Sequence, residues 1–161
     1  LYSENLNWGL IDLDKFEDEC LKEKTITKPA GAKKFSTEAE KNNKVHLLVS
    51  NSDYFLNDLE FVLQNGFSSL IYILGFYAME HRANAFIAKN GFEIKDHTCT
   101  KIFLSNLGKK ELATMLQKAA DQRTNHYRMN LDDKNPNSAK EFYEKTVKKF
   151  VEEIDRLIKE E

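Results

Sequence analysis

Glycine, proline and cysteine are scarce in this chain: 6, 2 and 2 among 161 residues. So few turn formers disfavour a turn-rich β architecture and favour long helices. Cys20 and Cys99 fit no metal-binding spacing, and neither has the basic neighbour that marks a nucleophile. Both are expected as free, reduced thiols in a cytoplasmic protein. No stretch approaches the roughly 18 uncharged apolar residues of a membrane span, and no signal peptide opens the chain. No membrane association is therefore expected. The first residue is Leu1 rather than Met, which leaves a further domain upstream open. Charge of one sign is lacking too: 24 basic residues face 26 acidic ones, a net charge of −2. Without a global basic field, duplex DNA is not an expected partner. There is no zinc-protease pair of histidines, Gly-rich phosphate loop, nucleophile elbow or EF-hand loop, so no metal and no cofactor are expected.

What the chain does have is apolar residues at helical spacing, within a 41% hydrophobic and 11% aromatic composition. One domain with a real core is the default at this length. The segment 1–35 reads as an N-terminal arm packing on the main body. Within it Leu10, Leu13, Phe16 and Cys20 share one side of a short acidic helix, and Thr25 to Ala32 reads as a connection. The first long helix is expected to start at Ser36 or Thr37, where Thr37-x-x-Glu40 has capping-box form. Its stripe runs Val45, Leu48, Val49, Ser52, Phe55, Leu56, Leu59, Val62, Leu63, with Ser52 the only polar member.

Phe67 to Asn90 reads as the second and most buried helix, closed by Asn90-Gly91. A short helix is expected over Thr98 to Leu104, a long one over Lys109 to Tyr127, and a loop over Arg128 to Asn137. The last helix is expected to begin at Ser138 with a second capping box, Ser138-x-x-Glu141, and to bury a stripe from Ala139 to Ile158. Short loops between long amphipathic helices make an all-α, antiparallel four- to five-helix bundle over residues 36–161, with the short N-terminal helical arm before it.

The chemistry-bearing residues gather where the fourth of these helices ends. The stripe Leu112, Met115, Leu116, Ala119 continues at its own period into Arg123, His126 and Tyr127. Arg offers planar, permanently charged donors suited to phosphate, and His exchanges a proton near neutral pH. Between Thr98 and Asn130, Lys101, Lys109, Lys110, Lys118, Arg123 and Arg128 outnumber Glu111 and Asp121, a basic strip leading to Arg123. The structural reading of the same residues pairs Arg123 with a carboxylate and lets His126 and Tyr127 cap the helix end. The functional reading is metal-independent RNA cleavage. His126 then acts as general acid or base, Arg123 stabilises phosphoryl charge, and Asn125 or Tyr127 holds a base or sugar, with Lys118 and Arg128 alongside. A two-fold dimer bringing two such helix ends together would supply two histidines. The remaining histidines read as surface or boundary (His46), hydrogen-bonded packing (His81) and loop-locking, with Asp96 as helix cap (His97).

Phe76-Tyr77-Ala78, the small-residue run Ala83 to Ala88, Gly91 and Asp96-His97 lie in the stretch from Gly66 to Phe103, which resembles the middle of a HEPN domain. The ending is similar as well: an Arg followed closely by His126-Tyr127, a loop, then a final helix rich in Phe, Val and Glu. The resemblance covers about Ser36 to the C-terminus. It implies a helical bundle that forms a homodimer and acts on, or binds, RNA or a nucleotide. Some such proteins are ribonucleases of toxin or defence type, and others pair with a minimal nucleotidyltransferase. Only Thr124 and Asn125 separate Arg123 from His126, a shorter gap than in the catalytic members, yet one that keeps both side chains on one helix face. The alternative is a non-catalytic dimerisation or adaptor module.

Overall fold

A computed structural model of the chain describes residues 32–94, 97–128 and 135–160. The elements are β1 (Ala32–Lys34), α1 (Glu38–Gln64), α2 (Ser68–Lys89), β2 (Phe92–Ile94), α3 (His97–Asn106), α4 (Lys110–Arg128), α5 (Pro136–Phe142), a π-helical segment (Tyr143–Lys148) and α6 (Lys149–Lys159). The last three follow one another without a gap, so among the described residues five helical rods make an all-α bundle. The expected acidic helix over Leu10 to Leu21 lies outside the described residues.

Each start and stop has a local cause. Thr37 Oγ1 accepts from the Glu40 N–H at 3.1 Å, and Glu40 Oε2 accepts from the Ser36 N–H at 3.0 Å. This is the expected capping box, with the return bond taken one residue earlier. At the far end of α1, Gly66 adopts φ 80°, which lets the chain reverse into α2. Gly91, at φ 93°, does the same after α2.

Two corrections concern the last rod. It starts at Pro136, not Ser138, because Asn135 Oδ1 accepts from the N–H groups of Asn137 and Ser138, and proline at the first position has no donor to satisfy. It is also not uniformly α-helical. Gly75 of α2 lies so close that a Cβ there would sit 2.8 Å from both Phe142 and Val147. Those two residues are five apart, and the wider π turn brings both onto Gly75. Tyr143 Oη donates to Glu60 Oε1 at 2.6 Å, which ties the same turn to α1.

A third difference is the antiparallel pairing of β1 with β2, Ala32 opposite Ile94 and Lys34 opposite Phe92, in segments where the sequence announced no strand. Three-residue strands carry too little alternation to announce themselves.

Helix α2 is the hub, packing against α1, α4 and the last rod. Ile71, Tyr72, Phe76, Met79 and Ile87 are all buried, and the alanines at 78, 83, 85 and 88 let neighbouring backbones approach. The single polar residue in the α1 stripe now has its reason: the buried Ser52 hydroxyl donates to the Ala78 carbonyl at 2.8 Å. One turn on, the buried Arg82 guanidinium pairs with Asp53 of α1 and, at 3.3 Å, with Asp155 of α6.

Candidate functional site

Helix α4 lies antiparallel to α2, and their facing rows define the site. On α4, Leu112, Leu116 and Ala119 fill the core, and the same face then turns polar at Arg123 and His126. On α2 the matching row is Tyr72, Phe76 and Glu80, spaced four apart. His126 meets Tyr72 and Arg123 meets Phe76, so the two rows run in opposite order.

The imidazole of His126 lies parallel to the Tyr72 ring, with centroids 3.9 Å apart and planes 4° from parallel. Phe142 packs on the same tyrosine at 4.9 Å. The histidine is thereby buried, with 6% of its surface exposed. One turn back, the half-buried Arg123 guanidinium sits over the Phe76 ring at 4.3 Å and within 5.8 Å of Tyr77. Glu80 completes the row. Burial pushes its carboxyl up to about 7, while the Arg123 guanidinium pulls it back down. A carboxyl that titrates near neutrality beside a fixed positive charge was not foreseen. The available sign was that Glu80 continues the spacing of Tyr72 and Phe76.

Arg123 opens onto a cleft of about 200 Å³ lined also by Phe76, Lys101, Gln117, Asp121 and Thr124. Lys101 Nζ donates to Gln117 Oε1 at 2.5 Å, and Gln117 Nε2 donates to Asp121 Oδ1 at 2.7 Å. A second, more open cleft of about 280 Å³ shares Lys101 and Gln117 and reaches Lys118. The seam between α3 and α4 therefore carries Lys118, Lys101 and Arg123 in succession. Lys118 and Asn125 are exposed, whereas the side chains of Tyr127 and Arg128 lie outside the described residues. So do Asp96 and the side chain of His97.

His81, on the α2 edge nearer α1, stacks on Phe55 at 5.4 Å and 13°. Its Nδ1 is buried with no hydrogen-bond partner among the described residues. Burial lowers its pKa, and the charge of Lys44 lowers it further, so the ring is held neutral. It packs as expected, but the hydrogen bond expected of it is missing at Nδ1 among the described residues. His46 is exposed, as expected.

Among the described residues no three His, Cys, Asp or Glu side chains are grouped so as to hold a metal ion. Nor is any described helix long and apolar enough to cross a membrane. Comparison with family models, with curated proteins and with solved structures finds no match.

Proposed function

We propose that the chain is a HEPN-like helical bundle that binds RNA or a nucleotide at the cleft lined by α2, α3 and α4, with Arg123 taking a phosphate. The observation that carries this reading is the setting of Arg123. Its guanidinium is held on the Phe76 ring at 4.3 Å, at the mouth of a cleft that also presents Lys101. A ring beneath the guanidinium fixes its plane and leaves its edge donors free for a phosphate. Lys118 extends the positive seam, whereas exposed Asn125 lines neither cleft.

Binding is favoured over cutting. A general acid or base must come within hydrogen-bond reach of the proton it moves, and His126 is 6% exposed with one face covered by Tyr72. The imidazole is better suited to hold α4 against α2, and so to aim Arg123.

A gel-shift of labelled single-stranded RNA in EDTA tests this. A shifted band with the RNA intact is the expected result. Protein that neither shifts nor cuts RNA goes against the proposal. RNA cut in EDTA, with cutting lost in His126→Ala, would return the acid–base role to His126 and make the protein a metal-independent ribonuclease.

The second reading, a non-catalytic dimerisation or adaptor module of the kind that pairs with a nucleotidyltransferase, is favoured by exposed Leu47, Tyr54 and Phe61 on α1.

A further inference from the structure

A band of rings joins Arg123 to the outer side of α1. Tyr77 has its ring 5.8 Å from the Arg123 guanidinium. Phe55 of α1 stacks on Tyr77 at 5.5 Å and 27°, and on His81 at 5.4 Å and 13°. Tyr54 stands edge-on to Phe55 at 6.3 Å and is 66% exposed, while Phe55, Tyr77 and His81 are half-buried. Helix geometry turns this band outward. Gly75 and Arg82 point α2 toward the last rod, and Tyr77 lies about 160° round the helix from Gly75. Leu70 and Ile73 share the outward side and keep some exposure. Farther along, the Thr100 hydroxyl donates to Asn84 Oδ1 at 2.9 Å, so α3 covers that side beyond His81.

Packing between α1 and α2 accounts for Phe55 and His81. It gives no reason for the exposed Tyr54 beside them. We propose that the band is a stacking platform for single-stranded RNA. A strand held by one phosphate at Arg123 crosses α2 onto α1 and lays successive bases on Tyr77, Phe55 and Tyr54. The inference rests on Arg123 taking a phosphate and extends that site from one contact to a strand. Rings accept any base through its π face, and the arginine at one end sets where the strand begins. Steps of 5.5 to 6.3 Å exceed the roughly 3.4 Å rise of a stacked strand, so the ligand that fits is unstacked and not a duplex. A lone nucleotide would leave the α1 rings unused.

Charge along the band is sparse. Asn51 and Asp58 stand one turn to either side of the Tyr54–Phe55 pair. The amide can hydrogen-bond a base edge, whereas the carboxylate repels the strand's backbone. Lys44, whose charge reaches His81, is paired with Glu93 at 2.7 Å. Affinity gained along the band is therefore stacking, and the salt dependence belongs to the Arg123 end.

Fluorescence anisotropy in EDTA, with a labelled RNA dinucleotide and a labelled single-stranded pentanucleotide, tests the platform. Wild type is expected to bind the pentanucleotide about tenfold or more tightly than the dinucleotide. Tyr54→Ser should lose about fivefold or more on the pentanucleotide, with its dinucleotide affinity and salt slope unchanged. Arg123→Ala should weaken both ligands and flatten the slope, and Asp58→Asn should tighten the pentanucleotide alone. A pentanucleotide bound no more tightly than the dinucleotide overturns the platform and leaves the Arg123 site standing. A folded Tyr54→Ser that binds the pentanucleotide as wild type does also overturns it, and leaves Tyr54 to a protein partner. Should that variant not fold, Tyr54→Trp in a Trp8→Phe background gives an independent answer. Its fluorescence should be quenched by the pentanucleotide and not by the dinucleotide; no quenching by either contradicts the proposal. A wild type that binds neither RNA removes the Arg123 reading and the platform together.

Discussion

The imidazole of His126 rests flat on the phenol ring of Tyr72, 3.9 Å between centroids, and this contact locks the C-terminal part of α4 onto the centre of the bundle. A stacked pair of rings contributes about 0.5–1.5 kcal/mol beyond the area it buries. Truncating a buried ring also leaves a cavity. His126→Ala is therefore expected to lose roughly 2–3 kcal/mol in urea unfolding. His126→Phe should keep most of that stability, because stacking and volume survive. Equal losses in the two variants would show that a hydrogen bond of the imidazole, and not its packing, matters.

Glu80 gives the protein a pH dependence with a definite sign. Its carboxyl titrates near 7 in the folded chain against an ordinary value of 4.5. The folded state binds the proton more tightly, so Glu80 costs nothing below about pH 4.5 and destabilises progressively as pH rises through 7. The cost at pH 8 is on the order of 2–3 kcal/mol. Glu80→Gln should be the more stable protein at pH 8 and should lose the slope between pH 5 and 7, as read by urea unfolding at a series of pH values.

RNA binding should share that dependence. A phosphate drawn to Arg123 sets a second negative charge near Glu80 and raises its pKa further, so binding takes up a proton. Affinity for a short single-stranded RNA is expected to fall as pH rises from 6 to 8, and Glu80→Gln should flatten the profile. A profile equally steep in Glu80→Gln would place the titrating group elsewhere.

Arg82 is a structural charge. Only 4% of its side chain is exposed, and it joins Asp53 of α1 to Asp155 of α6 through α2. Removing one member of such a group strands the others, typically at 3–5 kcal/mol when they are buried. Both aspartates here keep solvent contact, so Arg82→Ala is expected at about 2–3 kcal/mol. Arg82→Lys should recover little of it, since one ammonium lacks the fork that reaches both carboxylates.

Gly75 tests the π segment. A methyl there would lie 2.8 Å from Phe142 and from Val147, so Gly75→Ala should destabilise by about 1–3 kcal/mol despite the better helix propensity of alanine. The double variant Gly75→Ala, Val147→Ala should recover part of the loss.

Much of this was written in local signals. Thr37 and Glu40 stand three apart before an apolar stripe, and the capping box forms there. Arg123 and His126 continue the stripe of α4, and both side chains do face α2. Other features depend on what packs opposite. Glu80 has a raised pKa because the fold buries it, and no property of its own neighbours in the sequence says so. The stripe from Ala139 to Leu157 alternates threes and ones in a way that an α-helix also satisfies, so the π turn came only with Gly75 in place. Pro136 read as a loop residue, although Asn135-Pro136 is also a good helix start.

The most direct test of the Arg123 site is a fluorescence-anisotropy titration of one labelled single-stranded RNA with wild type and Arg123→Ala, at low salt in EDTA. The expected result is intact RNA and about a tenfold or greater loss of affinity in the variant, roughly the 1.4 kcal/mol of one charge-assisted contact. The two melting temperatures should lie within a few degrees of each other. Identical affinities, or a variant that has lost its fold, would contradict a phosphate-binding Arg123 and assign the guanidinium to packing on Phe76.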